Sequence, residues 1–384
     1  MHTARTLIMV VLLCGTVYAS ENKTQVEWIS LFDGKTLNGW QQLGGGKWTV
    51  EDGTILGETG DGRYGWLMTT QQFTDFILEL KLRCEGPGNS GIQFRSHWIN
   101  GNMYGYQGEV DPPPEDDTGG VYEEKGRGWL HQPDPETKKK VVLEGWNTYR
   151  ISMIGTRITT IVNGVTVSDF DDDRTVRGGI ALQVHSGKTP VRIRWKDIRI
   201  QDLGYGKGWK PLFNGKDLTG WVIHGKERWD VENGCIVGES TASGYGYLAT
   251  EREDFKDFSV RACFKTMGRG NSGLFFHCRL DGTEIRGIQA EVDPTPGNHT
   301  GGLYESGRRG WLVLPSDLAE MVMNPDDWNE IQVTCVGNRI LTHVNGYRAV
   351  DYMNETPMFQ EGPLALQIHS GGGVKLLWKD IYVR

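Results

Sequence analysis

The chain has 384 residues, 38% of them hydrophobic, with 53 Gly, 14 Trp and a formal net charge of −8. That length admits about one to three domains with ordinary cores, and the Gly and Trp counts favour many short strands joined by tight turns. The acidic balance and the absence of a basic tract argue against nucleic acid as a partner.

The N-terminus reads as a targeting segment. His2 and Arg5 give a weakly basic start, Leu7 to Leu13 is apolar, and Val17-Tyr18-Ala19 places small or short residues where a signal peptidase cuts. Residues 1–19 are therefore set apart from the fold as a signal peptide. The rival is a lipoprotein signal on Cys14, but the large Leu13 before it fits that poorly. No later stretch approaches the roughly 20 apolar residues of a membrane span. The mature protein is expected to be exported, periplasmic or secreted, without a membrane span.

A first domain is expected over 26–203. It opens on Leu31-Phe32-Asp33-Gly34-Lys35, followed by Gly39-Trp40. Asp52-Gly53, between apolar runs, signals a two-residue hairpin. Leu78, Leu80 and Leu82 alternate with Glu79, Lys81 and Arg83, a strand buried on one face. After the turn Gly88-Asn89-Ser90-Gly91, Ile92 and Phe94 point to a core, which leaves Gln93 and Arg95 on the other face. Gln107, Glu109 and Asp111 alternate along the next strand, with successive members roughly 6.5–7 Å apart on one face. Thr118-Gly119-Gly120 leads to Tyr122, Glu123, Arg127 and Trp129, expected to line a groove rim. Asn163-Gly164 signals another hairpin. Leu182 and Val184 turn inward, leaving Gln183 and His185 outward, and Trp195-Lys196-Asp197-Ile198 closes the unit. No long stretch shows a helical period with caps.

Residues 204–208, a Gly-rich joint, read as a short flexible linker. A second domain over 209–384 then repeats the first. Leu212-Phe213-Asn214-Gly215-Lys216, Gly220-Trp221, Asn233-Gly234 and Gly270-Asn271-Ser272-Gly273 return in order. So do Gln289, Glu291 and Asp293, then Thr300-Gly301-Gly302, Tyr304, Glu305, Arg309 and Trp311. Trp328-Asn329, Asn345-Gly346, Leu366-Gln367-Ile368-His369-Ser370 and Trp378-Lys379-Asp380-Ile381 complete the series. The offset drifts only from 181 residues at Leu31/Leu212 to 184 at Leu182/Leu366. Short strands with turns at this spacing suggest an all-β antiparallel sandwich or jelly roll in each copy.

With Cys14 removed, Cys84, Cys235, Cys263, Cys278 and Cys335 remain, an odd count that speaks against a disulfide framework. Cys263 and Cys278 flank one expected hairpin but sit out of phase, on opposite sides of a sheet. No Cys/His spacing reads as a zinc site. No dinucleotide fingerprint stands in strand–helix context.

Taken singly, these features are ordinary. Glu109 with Asp111 reads as a solvated strand face, Asn89-Ser90-Gly91 as a turn, His185 as a surface residue, and Trp129 equally as a core aromatic or a sugar platform. The duplication changes the weighing. Two copies that differ at most positions keep the same Gln/Glu/Asp/His set in the same phase, which folding alone does not require. The copies also differ: Arg95 is matched by His277, Gln93 by Phe275 and Tyr106 by Ile288. The two sites would then bind different ligands, or one would be weakened.

At these residues the chain resembles the 3-keto-disaccharide hydrolase domain family of bacterial exported proteins. The Phe-Asp/Asn-Gly-Lys opening with its Gly-Trp, the Gly-Asn-Ser-Gly turn and the Leu-Gln-x-His…Lys-Asp-Ile ending carry the likeness twice, over nearly the whole mature chain. The order Gln-x-Glu-x-Asp departs from the family's common Glu-x-Gln-x-x-Asp, which affects how roles transfer to Gln107 and Glu109. The resemblance implies two tandem concanavalin-like jelly-roll β-sandwiches. It also implies cleavage of glycosides whose sugar carries a C3 ketone.

Such a ketone acidifies the C2 hydrogen. A base forms the enolate, which expels the C1 substituent, and water can add afterwards. On this reading His185 or Asp111, and His369 or Asp293, would be the base. Arg95, with His277 as its substitute, would stabilise the enolate oxygen. Glu109 and Glu291 would act as acid or ligate a divalent cation, whose identity the sequence does not choose. Asn89, Gln93, Gln107 and Gln183, with Asn271, Gln289 and Gln367, would hold substrate. A separate redox enzyme would have to make the ketone. Two rivals remain: a non-catalytic glycan-binding protein, in which tandem copies raise avidity, and a conventional two-carboxylate glycoside hydrolase. Dependence on the ketone separates the first reading from the last.

Overall fold

Four two-residue turns set the register of the strands around them. Asp52-Gly53, Asn163-Gly164, Asn233-Gly234 and Asn345-Gly346 hold both residues at positive φ, between 48° and 86°. This is the type I′ geometry whose twist matches a strand pair, and it favours Asn or Asp followed by Gly. Each turn joins paired antiparallel strands, for example Lys47–Glu51 to Thr54–Glu58 and Arg157–Val162 to Val165–Asp171.

The computed structural model describes residues 26–384 apart from 187, 188, 269, 294, 296 and 326. The signal segment expected over 1–19, with Cys14, lies outside them. Among the described residues, no helix is long and apolar enough to cross a membrane.

Each half is a sandwich of two antiparallel sheets, a jelly roll, so the chain is all-β with two such units in tandem. In the first half, Asp75–Cys84 lies between Asn147–Ile154 and Arg192–Gly204 in one sheet. Leu78, Leu80 and Leu82 are buried there as their alternation requires. The other sheet runs Gly128–His131, Val121–Glu124, Asn102–Val110, Ser90–Ile99, Gly179–Val184, Gly65–Thr69, Trp40–Gly44. Ile92, Phe94, Leu182 and Val184 turn from this sheet into the core, against Tyr149, Ile151 and Trp195. Burial of each such side chain stabilises the fold by about 1.5–3 kcal/mol. The second half repeats the order, with Leu274, Phe276, Leu366, Ile368 and Trp378 in the matching core.

Two departures from simple alternation matter. Ser90–Ile99 and Asn102–Val110 shift register between Phe94 and His97, with Arg95 at φ 45°. Ser272–Asp281 carries the same bulge between Phe276 and Arg279, with His277 at φ 43°. A bulge adds one residue and reverses the facing of the residues beyond it. Arg95 is consequently buried, and donates to Asp75 Oδ1 at 2.8 Å, Thr74 O at 2.7 Å and Gly155 O at 2.8 Å. Cys278 leaves the core phase and joins Tyr247, Ala249 and Phe275 on the opposite face. The expected hairpin between Cys263 and Cys278 does not form, because Phe258–Thr266 and Ser272–Asp281 lie in different sheets, and both thiols are free.

The halves are packed together. The Tyr205 hydroxyl in the joint donates to Glu330, and Arg261 stacks over its ring at 3.6 Å. Val176 N donates to Gly346 O at 2.8 Å, and Arg348 N to Arg174 O at 3.0 Å. Asp173 of the first half accepts from Arg339 at 3.0 Å and from Arg348 of the second.

Candidate functional site

The outward face of the seven-stranded sheet in each half carries the polar residues. Register places Gln93 opposite Gln107, Gln107 opposite Tyr122, and Gly91 opposite both Glu109 and Gln183. Gly91 makes the cluster possible: a Cβ there would lie 2.5 Å from the Gln107 amide carbon. The bare strand lets the glutamine lie flat across it.

The hydrogen bonds in the first half have one direction. Glu109 only accepts when ionised, so it takes Asn89 Nδ2 at 2.6 Å and Gln107 Nε2 at 3.1 Å. That orientation leaves Gln107 Oε1 to accept Gln93 Nε2 at 2.6 Å and Gln183 Nε2 at 2.7 Å. Gln93 Oε1 in turn accepts from Ser96 at 2.9 Å. Asn89 Oδ1 and Gln183 Oε1 remain buried without a partner. Burial pushes the Glu109 carboxyl up to about 7, against the pull of the Asn89 and Gln107 hydrogen bonds.

The second half keeps the frame but not the saturation. Gln289 Nε2 donates to Glu291 Oε2 at 2.9 Å and to Ser272 O at 3.2 Å, and Phe275 stands in place of Gln93. Asn271 Oδ1, Gln367 Oε1 and Glu291 Oε1 are all buried without partners. Burial, with the Asp293 charge adding repulsion, pushes the Glu291 carboxyl up to about 8. Buried acceptors left unmade cost stability, so two on this face in the first half and three in the second call for a donor, such as a ligand hydroxyl or water.

Each histidine sits at the edge of this cluster in a defined tautomer. In the second half, His369 Nδ1 donates to the Ser370 carbonyl at 3.0 Å, which leaves Nε2 to accept from the Tyr245 hydroxyl at 3.3 Å. In the first, His185 Nδ1 donates to Ser186 O, and Tyr64 OH lies 2.9 Å from Nε2.

Aromatic rings wall both faces. Trp66 lies 5.5 Å from Trp98 and stacks on Tyr64 at 5.5 Å. Tyr122 and Trp129 pack edge to face at 5.5 Å, as do Tyr304 and Trp311. A cavity of about 630 Å³ in the second half is lined by Asn271, Gln289, Glu291, Gln367, His369, Tyr245, Tyr247, Tyr304, Trp311 and Arg286, among others. The matching cavity of the first half, about 390 Å³, is lined by Arg63, Tyr64, Trp66, Trp98, Asn102, Tyr122, Glu124 and Lys125, and Glu109 and Gln107 do not reach its wall.

Several expected members lie elsewhere. The bulge takes Arg95 into its buried pair with Asp75, and His277 into contact with Phe258 and Phe276, its Nε2 donating to Lys256 O at 2.8 Å. Neither can reach a ligand on the polar face. Glu123, Arg127, Glu305 and Arg309 are not rim residues but ion pairs at the core edge. Arg127 bridges Glu123 and Asp172, and Glu305 takes Arg308 at 2.7 Å and Arg309 at 2.6 Å. Burial alone would raise the Glu305 carboxyl, but the two arginines hold it down at about 2. Asp111 lies past the end of its strand, its backbone N donating to the Thr118 hydroxyl at 2.9 Å, and burial raises its carboxyl. Asp293 is committed to its own loop, accepting Thr295 N at 3.0 Å and Asn298 Nδ2 at 2.9 Å.

Tyr64, Trp66, Tyr245, Tyr247, Trp98 and Arg286 were not singled out in the sequence. The repeat of Tyr64-Gly65-Trp66 as Tyr245-Gly246-Tyr247 could have found four of them. No group of three His, Cys, Asp or Glu side chains converges among the described residues. The groove therefore lacks the charged donor set that divalent cations prefer, and its chemistry is derived without a metal.

The family described as the 3-keto-alpha-glucoside-1,2-lyase-like domain matches residues 27–201 and again 208–384. A curated 3-keto-disaccharide hydrolase of Bacteroides thetaiotaomicron is 43% identical over 75 residues, which covers 17% of this chain and 26% of that protein. The chain thus spans about a quarter of that relative's length. Among solved structures, a Parabacteroides distasonis protein provisionally assigned as a glycosyl hydrolase aligns at 20% identity and a TM-score of 0.36, over 46% of this chain and 94% of its own. A carbohydrate binding module from Bacillus subtilis aligns at 16% identity and a TM-score of 0.33, over 42% of this chain and 95% of its own.

Proposed function

This chain belongs, in both halves, to the 3-keto-alpha-glucoside-1,2-lyase-like domain family, and from that premise we propose that it cleaves 3-keto-glycosides by removing the C2 proton and eliminating the C1 substituent. The observation that carries this reading is a buried carboxyl raised close to neutrality and an imidazole whose Nε2 carries no proton and meets the Tyr245 hydroxyl, both on the wall of one cavity of sugar size. The roles follow from the geometry. His369 Nε2, its Nδ1 proton tied to Ser370 O, takes the C2 hydrogen, and the bonding pair moves into the C2–C3 bond as the C3 oxygen becomes an enolate. The C3 carbonyl then reforms, C1=C2 closes and the C1–O bond breaks. Protonated Glu291 gives its proton to the departing oxygen. Water adding across C1=C2 completes a net hydrolysis.

With Arg95 and His277 withdrawn, Arg286 is the cation on the second cavity's wall that can face the enolate oxygen. Unpartnered Asn271 Oδ1 and Gln367 Oε1 accept from sugar hydroxyls. The conventional two-carboxylate reading is weakened because Asp293 is occupied by its loop. Elimination and hydration are redox-neutral, so a separate enzyme must oxidise the sugar at C3.

Export is part of the proposal and rests on residues 1–19. N-terminal sequencing of the mature protein should begin at Ser20, and a retained Met1 would contradict it. The activity is tested with 3-ketotrehalose and trehalose as paired substrates. Release of glucose from the ketone alone is the expected result. Equal cleavage of both would mark a conventional hydrolase, and cleavage of neither would overturn the enzyme reading.

A further inference from the structure

We infer that the two halves have divided the work: the second half cleaves, and the first holds an unoxidised pyranoside without cleaving it. This rests on the catalytic reading above, which it deepens by assigning each groove.

The carboxylates differ first. Both Glu109 oxygens are occupied, by Asn89 at 2.6 Å and Gln107 at 3.1 Å, and Gln107 is itself pinned by Gln93 and Gln183. To pass a proton to a leaving group, Glu109 would have to break a closed network. Glu291 lacks that cap: Asn271, the counterpart of Asn89, makes no hydrogen bond to it, and Glu291 Oε1 has no hydrogen-bond partner. Phe275 also removes the glutamine whose counterpart pins Gln107. An acid needs an oxygen not already held by the protein, and of the two glutamates Glu291 has one.

The cavities differ in the same sense. In the second half the cavity wall includes Glu291, Gln289 and His369. In the first, Trp66 and Trp98 stand where Tyr247 and Leu280 stand in the second, and the cavity ends on these indoles instead of the carboxylate. What remains is an aromatic floor edged by Asn102, Glu124, Arg63 and Lys125. Ring faces pack against the C–H face of a pyranose, and the polar edge can bond its hydroxyls. Nothing in this set needs a ketone, so the ligand class is a neutral pyranoside.

The test uses the full mature chain. Glu291→Gln should lower kcat/KM for 3-ketotrehalose at least 100-fold, and Phe275→Gln, which restores the amide that would pin Gln289 and through it Glu291, about 10-fold. In the inactive Glu291→Gln protein, calorimetric titration with trehalose should still show binding, weakened at least 10-fold by Trp98→Leu or by Trp66→Tyr. Those two variants install residues the second half already carries, so they are expected to fold. Loss of cleavage in Glu109→Gln with more than half retained in Glu291→Gln would overturn the assignment. So would trehalose binding that neither indole substitution changes. If the wild-type chain cleaves nothing, the catalytic reading fails by itself, while the titration still reports on the first groove.

Discussion

Glu291 shows how far a single buried carboxyl governs behaviour. Its folded-state proton is held up to about 8, well above its unfolded value. The folded state therefore binds the extra proton between the two, and stability is lost as pH rises through that window. Glu291→Gln keeps the shape and removes the charge. It should be near-neutral for stability at pH 4 and stabilising by a few kcal/mol at pH 9, since each tenfold difference in acidity between folded and unfolded chain is worth about 1.4 kcal/mol. Thermal unfolding of both proteins across that range checks this, and a difference independent of pH would contradict it. Catalysis should fall above about pH 8 as the acid form is lost.

At this scale the sequence was readable wherever period two held. Gln107, Glu109, Gln183 and Gln289 face outward as alternation required, because no bulge separates them from the adjacent core residues Tyr106, Val110, Leu182 and Ile288. Arg95 and His277 were misplaced because one extra residue reverses facing, and no turn residue marks either bulge. Glu305 and Arg309 were misread because spacing cannot distinguish a groove rim from an ion pair closing the core edge.

At the scale of elements, one glycine per half sets the site. A Cβ on Gly273 would lie 2.5 Å from Gln289 Cγ and Nε2, the atoms that orient Glu291. The clash is with the end of a flexible side chain, so the strand can tolerate it while the glutamine moves. Gly273→Ala should cost roughly 1–2 kcal/mol yet lower kcat about tenfold by displacing Gln289. A loss of activity no larger than the loss of folded protein would show that the position is structural only. The hairpins were legible because Asn-Gly and Asp-Gly demand type I′ turns. Which sheet each strand joins was not, and the Cys263–Cys278 segment, read as a hairpin, crosses between sheets.

At the scale of the whole molecule, the duplication was plain from sequence but its consequence was not. Repeats reveal two copies and say nothing of the surface between them. His343 Nε2 donates to Asp173 O at 2.9 Å across the halves, and His97, whose Nε2 donates to Arg177 O at 2.8 Å within the first half, packs edge-on against Tyr347 of the second at 5.9 Å. Burial lowers both imidazoles to about 4, with Arg177 adding repulsion at His97 and Arg348 and Arg95 adding it at His343, partly offset by Asp173. A histidine held below its unfolded value stabilises above that value and loses the contribution as pH falls toward the folded one. The contact between halves should therefore weaken from about pH 6.5 to about pH 4. Scanning calorimetry should show one transition at pH 7.5 and two near pH 4.5. A single transition throughout would mean the two histidines do not govern the contact.

The central claim is removal of the C2 proton, and cleavage of 3-ketotrehalose in D2O tests it most directly. Elimination followed by hydration must draw a deuteron from solvent to C2, so the released 3-ketoglucose should be heavier by one mass unit at that carbon from the earliest time points, ahead of exchange without enzyme. Product that keeps its C2 hydrogen would mean direct displacement at C1, and would contradict the account.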